Sequence, residues 1–375
     1  MMKSVGFIGW RGMVGSVLLD RMKEEKDFNN IIPIFFSTSQ IGSTVPNINS
    51  SFINKVLYDA FDISLLREQD IILTCQGTNY TKKIYDKLRS SGWEGYWIDS
   101  SSYLRTRNDS CIVLDPVNYD LIINKINEGF KTFVGGNCTV SLMLLALGGL
   151  FNDKLIEWIS VATYQAASGA GSKHMFELLK QMNFLSKYID LDLKNDLSSN
   201  ILSIDRKVTN LINSDRLPKN NFKVPLVGSL IPWIDKTFSY GISKEEWKGQ
   251  FETNKILGID NENLFLIDGI CVRISTLRCH SQYFTIKLKH DIHINDIIQI
   301  IYNHNKWVKI IPNDSESTIS KLNPSVTSGT LDIPIGRIRK LNIGKKYLSA
   351  FTVGDQLLWG AAEPIRRMLN ILIKQ

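Results

Sequence analysis

Residues 3–22 read KSVGFIGWRGMVGSVLLDRM. The apolar run ending at Gly9 reads as a strand, Gly9-x-x-Gly12-x-x-Gly15 as a tight turn, and Ser16 to Met22, with apolar residues at helical spacing, as a helix. Strand, glycine turn and helix in that order are the grammar of a dinucleotide-binding unit, in which the unpaired amides and dipole of the helix N-terminus attract a phosphate. The spacing departs from strict GxGxxG, and glycine turns also serve packing alone, so the rest of the chain has to carry the reading.

Further apolar runs follow at 31–36, 70–75, 95–99 and 111–115, with a helix-compatible segment at 80–90. Runs of this length bounded by turns suit a parallel sheet covered on both faces. Residues 1–136 therefore read as a doubly wound, Rossmann-type nucleotide-binding domain. After Gly136 the pattern changes to an apolar helix at 138–150, a strand at 158–164, a long helical region from about 172 to 213, and strands around 264–289. Period-two alternation is clear in QYFTIKLK (282–289). This is α+β grammar for residues 137–354, and the whole chain reads as α/β. Within 355–375, apolar residues at 358, 361, 362, 365, 368, 369 and 372 describe an amphipathic helix able to return to the first domain. After the second strand, where NAD enzymes place an acidic residue for the ribose 2′-hydroxyl, the chain has STSQ (37–40). Hydroxyls with Arg11 nearby suit a 2′-phosphate, which favours NADP over NAD.

At roughly 150 residues per domain, 375 residues make two or three domains, and 43% hydrophobic with 22% charged residues suits an ordinary globular core. The longest apolar stretch, Thr139 to Phe151, falls short of the ~20 residues a bilayer requires. The N-terminus shows no secretory signal, so a cytoplasmic protein with no membrane partner is expected. The net charge is +7, but the 44 Lys and Arg are scattered, and the densest cluster, 337–346, has no interleaved aromatics; a nucleic-acid partner is not expected. Five cysteines without a CxxC pair exclude a disulfide framework or zinc ribbon, and His290-x-x-His293 lacks a third ligand, so no metal is expected.

Cys138 lies in VGGNCT (134–139), between an extended run and an apolar helix. A sulfur at a helix N-terminus is favoured as thiolate, the nucleophilic form, and the flanking glycines let a substrate approach. Cys75, Cys111, Cys271 and Cys279 read as small buried hydrophobes. A nucleophilic cysteine needs a base, and among five histidines His280, in LRCHSQ (277–282), begins the alternating strand. Arg273 precedes it by seven residues, so the two share one site only if a turn falls near Ser275-Thr276. Glu245, Lys248 and Glu252 share one helical face, which by spacing alone reads as a surface ion pair worth ~0.3 kcal/mol. QAASGAG (165–171) reads as a backbone loop after a strand.

The strings GFIGWRGMVGS, FFSTSQ, TCQG, GGNCTVSLM, TYQAASGAG, EEWKGQ, ETNKIL, RCHSQ and FTVGDQLLWGAAEP together resemble the aspartate-semialdehyde dehydrogenases of Gram-negative bacteria, over essentially the whole length. The resemblance implies a catalytic and dimerisation domain like that of glyceraldehyde-3-phosphate dehydrogenase, a homodimer, and NADP as cofactor. It implies an oxidoreductase that reduces L-aspartyl 4-phosphate to L-aspartate 4-semialdehyde and inorganic phosphate through a cysteine thioester, in lysine, diaminopimelate, threonine and methionine biosynthesis. By the same resemblance Cys138 is the nucleophile and His280 its acid–base partner. Gln165 orients the acyl group beside Asn137, Arg105 and Lys248 bind phosphate, Arg273 the substrate carboxylate, and Glu245 its amine. Cofactor contacts fall on Gly9, Arg11, Gly12, Met13, Val14, Thr38, Ser39, Gln76, Ser168, Gly169 and Gln356. Ala170 departs from the glycine common in such loops. The alternatives are an N-acetyl-γ-glutamyl-phosphate reductase or another acyl-phosphate or aldehyde dehydrogenase, against which Glu245 discriminates, and a catalytically silent NADP-binding scaffold.

Overall fold

Apolar side chains on both faces commit the early runs to the interior of a parallel sheet, and in the computed structural model they form one. The structure describes residues 2–48, 55–193, 201–259 and 262–375. The first sheet contains β1 (Lys3–Ile8), β2 (Ile31–Ser37), β3 (Tyr58–Asp59), β4 (Ile71–Thr74), β5 (Tyr96–Asp99), β6 (Cys111–Val113) and β7 (Thr132–Gly135). Their order is β3-β2-β1-β4-β5-β7-β6, with every pair parallel. The chain moves outward from β1 in both directions, so the carboxyl ends of β1 and β4, paired at Ile8 and Thr74, form the crevice where such sheets hold ligands. The short strand β7 is the extended run expected before Cys138. It inserts between β5 and β6 and delivers Gly135, three residues before Cys138, to the same edge.

The helix Met13–Glu24 buries Leu18, Leu19 and Met22 in a cluster with Val5 and Phe7 of β1. The helix Glu363–Ile373 joins that cluster through Ile365, Met368, Leu369 and Leu372, entered by a π-helical turn at Leu358–Ala362. Its Arg366 reaches Asp27 at 2.7 Å and Glu363 at 2.9 Å, both largely buried.

The second sheet is mixed: β12-β13-β14-β11-β8-β10-β9. Its members are β8 (Ile156–Gln165), β9 (Leu230–Ile231), β10 (Leu266–Ile274), β11 (Cys279–Leu288), β12 (Val308–Ile310), β13 (Ile333–Lys340) and β14 (Tyr347–Asp355). The helix Cys138–Asn152 is apolar all round and buried along nearly its full length, as that composition requires. It joins the two sheets mechanically, with β7 at its head and β8 at its tail. The helical region expected over 172–213 consists of two helices that pack on one another, Ser172–Leu193 and Ile201–Ile212; residues 194–200 lie outside the described residues. Among the described residues no helix is long and apolar enough to cross a membrane.

Candidate active site

The nucleophile helix begins where β7 ends. Asn137 is its N-cap, its side-chain oxygen accepting from the amides of Thr139 at 3.0 Å and Val140 at 3.2 Å. Cys138 is therefore the first helical residue, and its Sγ stands 3.2 Å from His280 Nε2. His280 is fully buried, whereas Cys138 keeps partial exposure. The turn required between Arg273 and His280 is present: β10 ends at Ile274, β11 starts at Cys279, and both residues reach the loop 166–169. Arg273 Nη1 donates to the carbonyl of Ala166 at 2.5 Å, and His280 Nδ1 accepts the amide of the same residue at 2.9 Å.

The helix Lys244–Ile256 supplies the charges. Its capping box, Ser243 with Glu246, sets the entry angle, and the face bearing Glu245, Lys248 and Glu252 turns inward. The ion pair read as superficial from spacing is buried: Glu245 is 7% and Lys248 9% exposed. Lys248 Nζ donates to Glu245 Oε2 at 2.9 Å and to Asp235 Oδ2 at 3.0 Å. Glu245 Oε1 accepts from Asn137 Nδ2 at 2.9 Å and Gln165 Nε2 at 3.2 Å. Burial opposes its charge, but Lys248 and these hydrogen bonds outweigh it and hold Glu245 down at about 2. Arg105 binds Glu252 at 3.0 Å and the carbonyl of Gly135 at 2.8 Å. Cys138, His280, Gln165, Asn137, Glu245, Lys248, Arg105 and Arg273 thus belong to one connected cluster.

The thiolate expected from the helix terminus is not the resting form. Burial and the nearby Glu245 push the Cys138 thiol up to about 12, against the pull of Arg273, Arg105 and Lys248. Burial, with Arg273, pushes His280 down to about 3. Both shifts favour the neutral thiol and the neutral imidazole.

Of the expected cofactor residues, Gly9, Arg11, Gly12, Met13, Val14, Thr38, Ser39 and Gln76 follow the carboxyl ends of β1, β2 and β4. Gly9 has φ +74°, and a Cβ at Gly15 would lie 2.3 Å from the carbonyl oxygen of Gly9, so the turn and the helix start close together only without side chains. No side chain caps the helix Met13–Glu24 at Gly12. Arg11 Nη2 donates to Ser37 Oγ at 2.9 Å and reaches Ser39 Oγ at 3.5 Å; Gln76 Nε2 meets Thr38 Oγ1 at 3.4 Å. Ser168 and Gly169 lie beside His280 and Arg273, since a Cβ on Gly169 would fall 3.0 Å from Arg273 Nη1. Gln356 is buried and its side-chain oxygen has no hydrogen-bond partner. An orphaned acceptor next to Gly360, which packs on Cys138, fits a carboxamide donor entering from the cofactor side.

Among the described residues no group of His, Cys, Asp and Glu could hold a metal; His293 caps the helix Ile294–His304, accepting from the Asn295 amide at 3.3 Å. A cavity of about 440 Å³ lined by Trp247, Phe251 and Lys255 lies on the reverse face of the charged helix, away from the sulfur.

Residues 4–125 match the family model described as semialdehyde dehydrogenase, NAD binding domain, and residues 147–359 match semialdehyde dehydrogenase, dimerisation domain. The aspartate semialdehyde dehydrogenase of Francisella tularensis superposes with a TM-score of 0.93 at 48% identity, covering 99% of this chain and 100% of that one. The chain belongs to the aspartate-semialdehyde dehydrogenase family. It is accordingly an oxidoreductase of amino-acid biosynthesis, and the N-acetyl-γ-glutamyl-phosphate reductase alternative is not favoured. The aspartate semialdehyde dehydrogenase II of Vibrio cholerae shares the fold at 21% identity and a TM-score of 0.78, over 100% of this chain and 99% of that one. The Candida albicans enzyme, solved with NADP, shares it at 14% and 0.67 over the same shares.

Three members of the cluster, Glu252, Asp235 and the Ala166 backbone, were given no role in the sequence reading. Glu252 was placed on the right helical face but given no task. Of the STSQ hydroxyls read beside Arg11, Ser37 is the near partner of the guanidinium and Ser39 the more distant one. Asp235 contacts Lys248 from a loop, and the Ala166 backbone spans Arg273 and His280. Seven-residue spacing from Glu245 was the available signal for Glu252; the others carried none.

Proposed function

We propose that the chain interconverts L-aspartyl 4-phosphate and L-aspartate 4-semialdehyde with NADP(H) and inorganic phosphate. The carrying observation is the 3.2 Å approach of Cys138 Sγ to His280 Nε2 beside the buried Glu245 and the cations Arg105, Lys248 and Arg273. The substrate bears an amine, a carboxylate and an acyl phosphate, and this lining is its chemical complement. Cys138 Sγ attacks the acyl carbon and expels phosphate toward Arg105 and Lys248, leaving a thioester. Arg273 holds the α-carboxylate, Glu245 the ammonium group, and Gln165 with Asn137 orient the acyl group through the carboxylate they share. His280 holds a proton at the reacting sulfur.

Gly9, Arg11, Gly12, Met13, Val14, Thr38, Ser39, Gln76, Ser168, Gly169 and Gln356 would hold NADP, with Arg11 and the hydroxyls of residues 37–39 on the 2′-phosphate and the free Gln356 oxygen on the carboxamide. When bound, it supplies the hydride that takes the acyl group to the aldehyde level. In this reading residues 1–136 bind the cofactor, 137–354 carry catalysis and dimerisation, and 355–375 return to the first domain. Exposed Leu266 and Ile270 on the open face of the second sheet support a homodimer. A cytoplasmic location suits the five unpaired cysteines.

The test is phosphate-dependent oxidation of aspartate semialdehyde, run with NADP beside NAD and with an N-acetylated analogue. NADP-dependent turnover of the free amine only is expected, and Cys138→Ser should abolish it. Wild-type turnover in Cys138→Ser, or equal use of the acetylated analogue, would overturn the reading.

A further inference from the structure

The helix Lys244–Ile256 has a second face that the reaction does not use. Glu245, Lys248 and Glu252 turn inward, whereas Trp247, Gln250, Phe251 and Asn254 recur at three- and four-residue intervals on the other side and line the cavity of about 440 Å³. Ile112 of β6 and Leu121 of the helix Asp115–Asn127 line it from the first domain. Its volume falls in the range of small-molecule sites.

The lining is selective in two ways. The rings of Trp247 and Phe251 stack at 17° with centroids 4.6 Å apart, and Phe238 continues the stack on Trp247 at 4.9 Å, which makes a flat aromatic wall. The charge is of one sign: Lys125 and Lys255 are among the described lining residues, and no aspartate or glutamate is. Lys125 is answered by Glu128 at 2.6 Å. Lys255 has no carboxylate partner among the described residues. Its Nζ donates to the carbonyls of Arg105 and Arg107, both at 2.6 Å, and reaches Ser110 Oγ at 3.4 Å.

We propose that this cavity is a second ligand site, for a small carboxylate with a flat apolar body, whose head pairs with Lys255 and whose body lies on Trp247 and Phe251. The site goes beyond the reaction proposed above; its link to that reaction runs through Arg105 and rests on the phosphate role given there. An ammonium group held only by neutral acceptors gains most from an arriving anion. Burial pushes Lys255 down from the ordinary lysine range, and a carboxylate supplies the opposite charge that restores it. The aromatic wall recognises the body whatever its charge, so the lysine decides between a carboxylate and its neutral analogue.

Occupancy reaches the phosphate side because one helix holds Arg105 at both ends. Lys255 takes its carbonyl, and Glu252 binds its guanidinium at 3.0 Å. Residues 100–110, between β5 and β6, contain turns but no helix or strand, so the lysine braces a segment with little regular structure of its own. A carboxylate that draws Nζ away from the two carbonyls loosens the main chain under Arg105 and weakens its hold on phosphate. The site is therefore inhibitory.

The experiment is isothermal titration calorimetry of the full-length protein with 4-phenylbutyrate and with its neutral counterpart, 4-phenylbutan-1-ol. The carboxylate should bind saturably, once per chain and about tenfold or more tighter than the alcohol, and Lys255→Met should weaken it by about the same factor. Leu264→Trp, which fills the cavity from its partly exposed rim, should abolish binding, and Leu121→Trp, which fills it from the first domain, gives an independent check. No saturable binding, binding that survives both filling variants, or equal affinity for the alcohol overturns the proposal. Coupling is read in steady-state kinetics: the probe should raise the KM for phosphate about fivefold or more and leave the KM for NADP unchanged. An unchanged KM for phosphate, or a rise that persists in Leu264→Trp and so reports the probe in the active site, overturns the coupling. The calorimetry needs no turnover. Failure of NADP-dependent aspartate semialdehyde oxidation would therefore overturn the proposed reaction and leave the binding result standing.

Discussion

Glu252 accepts the backbone N–H of Asn137 at 2.6 Å, so a carboxylate from the helix Lys244–Ile256 grips the cap of the helix that presents the nucleophile. The same carboxylate binds Arg105. Glu252→Gln keeps the shape, removes the charge and leaves one of the two donors short. A hydrogen bond to a charged group is worth ~1.5–3 kcal/mol, so kcat/KM should fall roughly tenfold to a hundredfold. Steady-state kinetics beside a thermal melt checks it; a lowered Tm with unchanged kcat/KM would reduce Glu252 to scaffolding.

His280 gives the protein an acid-sensitive fold. With its native value near 3 and an ordinary value of 6.5, the unfolded chain takes up a proton that the native chain refuses. Stability is full above 6.5 and declines as pH falls toward 3, the loss reaching ~2 kcal/mol near about pH 5. Glu245, held at about 2 against 4.5, adds its own loss only as pH falls below 4.5. The Tm of wild type should drop between about pH 7 and about pH 5, and that of His280→Asn should drop less; parallel curves would refute the assignment.

Asp235 competes for Lys248. Its carboxylate, one third exposed, pairs with Nζ at 3.0 Å, where an incoming phosphate would otherwise bind. An exchange of this kind is worth ~0.2–1 kcal/mol, so Asp235→Asn should lower the KM for phosphate by up to about fivefold in the oxidative direction. A raised KM would show that Asp235 instead orients the lysine.

The glycine turn discriminates between two positions. A Cβ at Gly15 meets the Gly9 carbonyl oxygen at 2.3 Å, while one at Gly12 stays 3.3 Å from it. Gly15→Ala should therefore cost ~1–3 kcal/mol through forced backbone shifts and weaken NADPH binding far more than Gly12→Ala. Fluorescence titration with NADPH reads the difference, and equal affinities would contradict it.

Arg11→Ala should lower kcat/KM with NADP by about tenfold, the worth of one charge-assisted contact, and leave NAD turnover unchanged. A parallel loss with both cofactors would place Arg11 elsewhere than on the 2′-phosphate.

What could be read in advance was local. The strand, turn and helix of residues 3–24 and the capped start at Asn137-Cys138 depend on neighbours a few residues apart, and periodicity and glycine placement record them. The turn between Arg273 and His280 followed from parity alone. What depends on distant packing was not legible. Spacing places Glu245 and Lys248 on one face, but only the approach of β8 and the nucleophile helix buries that face. β3 has two residues, too few for a pattern. The upward push on the Cys138 thiol has the same origin: a helix start is visible in sequence, while desolvation is a property of the assembled site.

The last helix settles a question of timing. Ile365, Met368, Leu369 and Leu372 pack beside the helix Met13–Glu24 and over β5 and β7, and Arg366 pairs with the buried Asp27. A ribosome that has released the first third of the chain has therefore made a nucleotide-binding half with an open apolar flank, which closes only when the carboxyl-terminal residues emerge.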